Sequence, residues 1–419
     1  MTALPSPALS ALRDGVRARI PGAEAEFWLR AGRSGTPLVE PDPEGDPAHR
    51  LVTFLWREDT ADRPASDVLL LVHTVTDRDR HTGDLTRHLM RRVEGTGVWA
   101  LSHRMRADHR ASYQFLPGRG PREELLRTDR ISWRAALDRA VPDPLSRTPV
   151  LPPYGGRRPA SVLSLPDAPP QPYAGGDGAA PPRGTTLERE VDGRRVSVHL
   201  PPGHGDSAEP YAVAVLLDGE IWGPVLDAGS LLDRMHADAA LPPTVALLVD
   251  TMEHRMDDLS CNGAFVDWLA DTLLPWARAE FGAASRPERT LVAGQSAGGL
   301  TAAYAAYRRP DRFGLAVSQS GSFWWPENDP ERAEEWLTRR YAADERRPVR
   351  LYLEVGLQEW MLLAENRRLR NVLRARGYDF VYREFNGGHD YACWRGGLAD
   401  ALTALLGGAD TAGGEGATP

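Results

Sequence analysis

Hydrophobic and polar positions change period twice along the chain. Residues 1 to about 20 are polar with weak helical spacing, and Ala23–Leu29 (A-E-A-E-F-W-L) has the make-up of a short helix. Gly35–Asp46 is crowded with turn formers and reads as a loop. From His49 the pattern becomes that of short strands: His49–Arg57, Asp67–Val75, Val98–Met105 and Ser112–Leu116, separated by polar or glycine-containing turns. Several short strands at such spacing predict a small β-sandwich ending near Arg139.

Between Val141 and Arg183 prolines crowd together with glycine pairs between them, a composition hostile to helix and interior strand alike. The stretch reads as an interdomain connector, with Ser161–Pro166 (S-V-L-S-L-P) apolar enough for one docked strand. From Thr185 the pattern changes again. Arg194–Leu200 alternates like an antiparallel strand, whereas Tyr211–Leu217 and Val245–Val249 are continuous apolar runs, as in strands covered on both faces. Leu291–Ala293, Leu315–Ser318, Val349–Val355 and Phe380–Phe385 are further strands. Helix-length segments alternate with them at Gly229–Ala237, Gly263–Phe281, Gly298–Arg308, Glu331–Tyr341, Glu359–Arg376 and Trp394–Leu406. This alternation predicts a mostly parallel sheet with helices on both faces. The expected organisation is therefore a sandwich over residues 1–140, a linker over 141–184, an α/β domain over 185–407 and a disordered tail over 408–419.

The chemistry centres on Thr290–Leu300 (T-L-V-A-G-Q-S-A-G-G-L), a strand, a small-residue turn and a helix start matching G-x-S-x-G at Gly294, Ser296 and Gly298. A serine at the tip of so tight a turn is held out of the sheet, with the first helix amides aimed at whatever it attacks. Such a nucleophile needs a base from a late loop, and His389 lies in Phe385-Asn386-Gly387-Gly388-His389-Asp390, just past a sheet strand. The acid should follow the preceding strand. Glu359 sits where the chain leaves Val349–Val355 and is preferred over Glu354, Glu365 and Asp390. Oxyanion donors are expected from the amides of Ala297, after the nucleophile, and Glu220, in the turn Asp218-Gly219-Glu220, with Gly219 as the alternative.

Composition narrows the setting. At 419 residues with 42% apolar and 26% charged positions, the chain is long enough for two domains and has ordinary globular make-up. Every one of the 50 strong bases is arginine, and a net charge of -8 argues against nucleic acid as the main partner. No apolar run is long enough to span a membrane and the N-terminus has no secretory pattern, so a cytoplasmic location is expected. The two cysteines, Cys261 and Cys393, could be free or bridged. The histidine, cysteine and carboxylate spacings suggest no metal site and no cofactor.

The motifs also carry a resemblance. Residues 185–407 resemble the esterase D group of α/β-hydrolases, and the chain as a whole resembles the enterochelin (ferric enterobactin) esterases. The matching segments are G-T-P-L-V-E-P-D, H-R-L-V-T-F-L-W-R, S-Y-Q-F-L-P, L-L-D-G-E-I-W, H-R-M-D-D-L-S-C-N, A-G-Q-S-A-G-G-L, E-V-G-L-Q-E-W and G-G-H-D-Y-A-C-W-R-G-G-L. They run from about Phe27 to Leu406. The resemblance implies an Ig-like N-terminal domain and a serine esterase that opens the trilactone backbone of a catecholate siderophore and releases its iron, the metal being substrate cargo. A ferric tris-catecholate is a bulky aromatic trianion, so guanidinium and indole groups should bind it. Arg255, Trp222 and Trp360 follow strand ends at the expected catalytic edge, and Arg104 and Arg110 end an N-terminal strand. Surface ion pairs and plain packing are the alternatives for these five residues. A carbohydrate-linked or feruloyl-type esterase and a catalytically silent siderophore-binding protein are the competing functions. A monomer or loose homo-oligomer is expected.

Overall fold

The computed structural model describes residues 6–58, 65–118, 130–154, 157–175, 183–207, 209–251, 254–326 and 333–407. The chain divides into two compact units, one formed by residues up to Pro169 together with Asn386–Cys393, the other by Pro170–Phe385 together with the chain from Trp394 onward.

In the first unit the strands are β1 (Leu38–Pro41), β2 (His49–Arg57), β3 (Asp67–Val72), β4 (Arg91–Arg92), β5 (Val98–Arg106), β6 (Arg110–Gly118) and β7 (Ser161–Ser164). They form two antiparallel sheets, ordered β1-β2-β5-β4 and β3-β6-β7. Val52, Phe54 and Trp99 from one sheet and Val68, Leu70, Val72, Tyr113 and Phe115 from the other share a buried core, which makes the unit a sandwich. The outer faces are covered too. Leu55, Val98 and Ala100 pack with Leu9, Leu12, Phe27 and Trp28 of the helices Pro7–Arg17 and Ala23–Ser34. Leu69, Leu71 and Leu116 pack with Trp133 and Ala136 of the helix Arg130–Leu137. Cover on both faces is why Leu51–Leu55 in β2 and Val68–Val72 in β3 are buried at every position rather than at alternate ones.

Three expectations need correction here. β1 lies within the turn-rich stretch read as a loop, and it pairs with β2 from Leu38 opposite Thr53 to Pro41 opposite Arg50. The end read as strand to Val75 stops at Val72, and a helix begins at Val75. The expected linker over 141–184 is not separate from the sandwich: up to Pro169 it belongs to that unit, with Leu151 bridged to Ala160, and the docked strand expected at Ser161–Pro166 is found as β7, paired to β6. The expected tail, 408–419, lies outside the described residues.

In the second unit the strands are β8 (Thr185–Val191), β9 (Arg194–Leu200), β10 (Ala212–Leu217), β11 (Thr244–Val249), β12 (Thr290–Gln295), β13 (Leu315–Gln319), β14 (Arg350–Gly356) and β15 (Asp379–Phe385). They build one sheet in the order β15-β14-β13-β12-β10-β11-β9-β8. β10 to β15 run parallel, and β9 and β8 are added antiparallel at one side. β10, β11, β12 and β13 are buried along their whole length, as their unbroken apolar sequences require. The helix Ala297–Arg308 is apolar on all sides and buried from Ala297 to Tyr307. This is an α/β-hydrolase architecture with the parallel strand ends gathered on one edge.

Candidate active site

Ser296 is the turn between β12 and the helix that begins at Ala297, and it adopts φ 59°, ψ −119°. A non-glycine residue rarely holds this conformation, and the surroundings enforce it. Its own N–H donates to the Gln319 carbonyl (3.0 Å), while its carbonyl accepts from Leu300 and Ser322 (3.0 Å each). The side chain is part-exposed, with its Oγ 3.4 Å from Ser322 Oγ. Gly294 is fixed by close approach: a Cβ there would lie 2.4 Å from the backbone of Gly298. Ala297 provides the first amide of the helix, where N–H groups lack intrahelical acceptors and point outward with the positive end of the dipole.

The turn after β10 is similarly braced. Asp218 sits at φ 59° and starts the single helical turn Gly219–Trp222. Its carboxylate, 1% exposed, is gripped by Arg255 through Nε and Nη2 at 2.8 Å each and accepts from Thr251 Oγ1 at 2.7 Å. The Glu220 carboxylate accepts from the Thr251 N–H at 3.2 Å and Oγ1 at 3.4 Å, so its side chain anchors the turn that presents its amide.

Glu359 follows β14 and is buried at 2% exposure. It accepts from the Gly356 N–H (2.8 Å) and from Ser320 Oγ (2.5 Å), and Ser320 Oγ in turn accepts from Trp394 Nε1 (3.0 Å). The other acid candidates have different surroundings. Glu354 lies within β14, accepting from Gln319 Nε2 at 2.6 Å, and burial pushes its carboxyl up to about 8. Glu365 pairs with Arg368 at 2.6 Å. Asp390 is 1% exposed and accepts from the N–H groups of Ala392 (2.9 Å) and Ser112 (2.5 Å), capping a helix and tying down β6.

His389 lies in the loop between β15 and the helix Tyr391–Leu406, and that loop belongs to the sandwich unit. Its backbone N–H donates to Thr74 Oγ1 (2.8 Å) and its carbonyl is 2.7 Å from His73 Nε2. The imidazole is part-exposed.

The substrate-binding expectations fare differently. Trp222 belongs to the core: it is 1% exposed, and its Nε1–H donates to Gln295 at 2.9 Å. Gln295 Nε2 then donates to Gln319 Oε1 at 2.7 Å, and Gln319 Nε2 to Glu354 and to the Trp394 carbonyl. Arg110 is 9% exposed and donates to Ser164 Oγ (3.0 Å) and the Pro169 carbonyl (2.7 Å), stitching β6 to the proline-rich segment. Arg104 forks onto Asp42 (2.9 and 3.2 Å) with Asp46 at 3.3 Å. Arg255 buttresses the Asp218 turn. In each case the group has a carboxylate, hydroxyl, carbonyl or amide partner that is distant in sequence. Trp360, beside Glu359, remains 38% exposed and Met361 57%. Gln295, Gln319, Ser320 and Thr74 had no sequence signal, because each matters through a partner brought in by the fold. Cys261 and Cys393 are both buried free thiols. Among the described residues no helix is long and apolar enough to cross a membrane.

A strained serine at the strand-to-helix elbow of a parallel sheet, on this architecture, defines an esterase of the α/β-hydrolase fold. Comparison with known proteins narrows the class. Residues 51–174 match the family described as "Enterochelin esterase, N-terminal", and residues 187–405 match "Putative esterase". The iron(III) enterobactin esterase of Escherichia coli K12 is 35% identical over 374 residues, covering 84% of this chain and 90% of that protein. The iron(III) salmochelin esterase of E. coli O6:H1 is 31% identical, covering 96% and 98%. The crystal structure of ferric enterobactin esterase from Salmonella typhimurium superposes with a TM-score of 0.77 at 32% identity, covering 91% of this chain and 98% of that one. That of the enterobactin esterase from Shigella flexneri, obtained in the presence of enterobactin, gives 0.73 at 32% identity, covering 86% and 94%. The chain belongs to the enterobactin esterase family.

Proposed function

We propose that this esterase hydrolyses the trilactone backbone of a catecholate siderophore such as ferric enterobactin, in the cytoplasm, with iron entering as substrate cargo. Ser296 Oγ attacks a lactone carbonyl carbon and its proton passes to His389. The amides of Ala297 and Glu220 hold the oxyanion, and Glu359 orients the imidazole. Collapse of the tetrahedral intermediate breaks the ester C–O bond, and the leaving alkoxide takes the proton from His389. Water, deprotonated by the same histidine, then releases the acyl group and regenerates Ser296. Trp360, exposed beside the acid, offers an indole face to a catechol ring.

The strained Ser296 elbow carries this reading, and relatives named for iron(III) enterobactin and iron(III) salmochelin supply the substrate class. Purified protein incubated with ferric and iron-free enterobactin should give linear and monomeric products by mass spectrometry. Ser296→Ala should lower turnover at least about 10⁴-fold while still binding the ferric trilactone. Turnover by the variant at the parent rate would refute the nucleophile, and intact trilactone with active parent protein would refute the substrate.

A further inference from the structure

The loop that carries His389 follows β15 in the chain and belongs to the sandwich unit, to which it is hydrogen-bonded. Asn386 accepts from the Arg110 N–H through its carbonyl (3.0 Å) and donates from Nδ2 to Asp108 (2.6 Å). Asp390 accepts from the Ser112 N–H, and Cys393 Sγ lies 3.4 Å from the Arg110 carbonyl. Between these ends, the backbone of His389 itself is held on both sides by two adjacent residues that follow β3: Thr74 Oγ1 at its N–H and His73 Nε2 at its carbonyl.

The details suit a clamp. Thr74 has φ 70°, ψ −44°, an unfavourable conformation for a β-branched residue. Its N–H donates to Asp77 Oδ2 at 3.1 Å, which holds the strained turn and aims the hydroxyl. Gly388 accommodates it: a Cβ there would lie 2.1 Å from Thr74 Oγ1. His73 is kept neutral by burial and by the Arg157 guanidinium. The His389 carbonyl can only accept, so Nε2 carries the proton it donates there; Arg157 Nη1 stands 2.9 Å from Nδ1 and 3.0 Å from Nε2, and Asp77 Oδ2 lies 3.5 Å from Nδ1.

We propose that Thr74, with His73, is a positioning residue for the catalytic base, fixing the backbone of His389 from both sides. The proposal rests on His389 being the base. A general base misplaced by about an ångström loses on the order of 10²-fold in rate, with substrate binding spared.

The test compares Thr74→Gly, Thr74→Ser and His389→Ala in the full chain, using 4-nitrophenyl acetate and ferric enterobactin. Thr74→Gly removes the hydroxyl while relieving the positive φ, so its melting temperature should not fall below that of Thr74→Ser. The expected result is a kcat lowered on the order of 10²-fold with KM unchanged in Thr74→Gly, and near-parental kcat in Thr74→Ser. The pH profile of kcat/KM, which reports the base, should shift in Thr74→Gly and return in Thr74→Ser. Parental kcat in Thr74→Gly, a change confined to KM, or equal losses in both Thr74 variants would overturn the clamp. Parental activity in His389→Ala would overturn the base and the clamp together, whereas an inactive His389→Ala beside a fully active Thr74→Gly would overturn the clamp alone.

Discussion

Glu354→Gln should stabilise this protein, and increasingly so as the pH rises. Glu354 lies on β14 between β13 and β15, 4% exposed, and accepts from Gln319 Nε2 at 2.6 Å and Tyr352 OH at 3.4 Å. The helix Tyr391–Leu406 closes over it at Gly397, where a Cβ would come within 2.1 Å of the carboxylate. Burial raises its carboxyl from 4.5 to about 8, with Asp400 adding to the rise and Gln319 opposing it. Between those values the folded chain keeps a proton that the unfolded chain has lost, so unfolding releases a proton and is favoured as pH increases. Stability associated with the neutral acid is complete below pH 4.5 and is lost progressively up to about pH 8. Each pH unit in that window costs about 1.4 kcal/mol. Glutamine is neutral throughout, nearly isosteric, and can still accept from Gln319. The variant and parent should therefore unfold alike near pH 4.5 and differ on the order of 3 kcal/mol in favour of glutamine at pH 7. Urea unfolding followed by tryptophan fluorescence at pH 5, 6, 7 and 8 measures this. Parallel stability curves for the two proteins would refute the buried neutral carboxyl.

Two further substitutions probe the site's framework. Gly294→Ala drives a Cβ into the backbone of Gly298, and we expect a loss of about 2–3 kcal/mol in urea unfolding together with at least a tenfold drop in ester hydrolysis. Arg255→Met leaves the Asp218 carboxylate buried without its fork, for a loss of about 3 kcal/mol and a reduced kcat as the Glu220 turn loosens. Lysine at 255 should recover only part of both, because an ammonium cannot reproduce the two parallel bonds, and full recovery by lysine would show that charge alone suffices.

Much of this protein is local in origin and therefore legible in its sequence. Continuous apolar runs such as Tyr211–Leu217 and Val245–Val249 report strands covered on both faces, and those strands lie near the middle of the sheet. G-Q-S-A-G compresses a strand, a positive-φ serine and a helix start into five residues, all the information being in neighbours. Where pairing partners are distant, the pattern misled. Leu38–Pro41 looked like loop because β1 is short and proline-containing, and only β2 makes it a strand. In the proline-rich segment the apolar Ser161–Pro166 stretch marks a docked strand, but nothing local shows that β6 receives it.

The same division runs through the side chains. Arg104, Arg110, Arg255 and Trp222 have the chemistry of siderophore ligands, and the sequence can state only that chemistry. Tertiary structure decides what each group touches, giving Asp42 to Arg104, Ser164 to Arg110, Asp218 to Arg255 and Gln295 to Trp222. Thr74 and His389 are separated by 315 positions, and no spacing rule joins them. The sequence by itself determined the fold class and the strand-to-helix elbow at Ser296, since turns, periods and strand ends are set by near neighbours. The partners of the buried polar groups, and with them the unit to which the His389 loop belongs, were decided by the tertiary structure, because a desolvated donor or acceptor takes whichever partner the fold brings within about 3 Å.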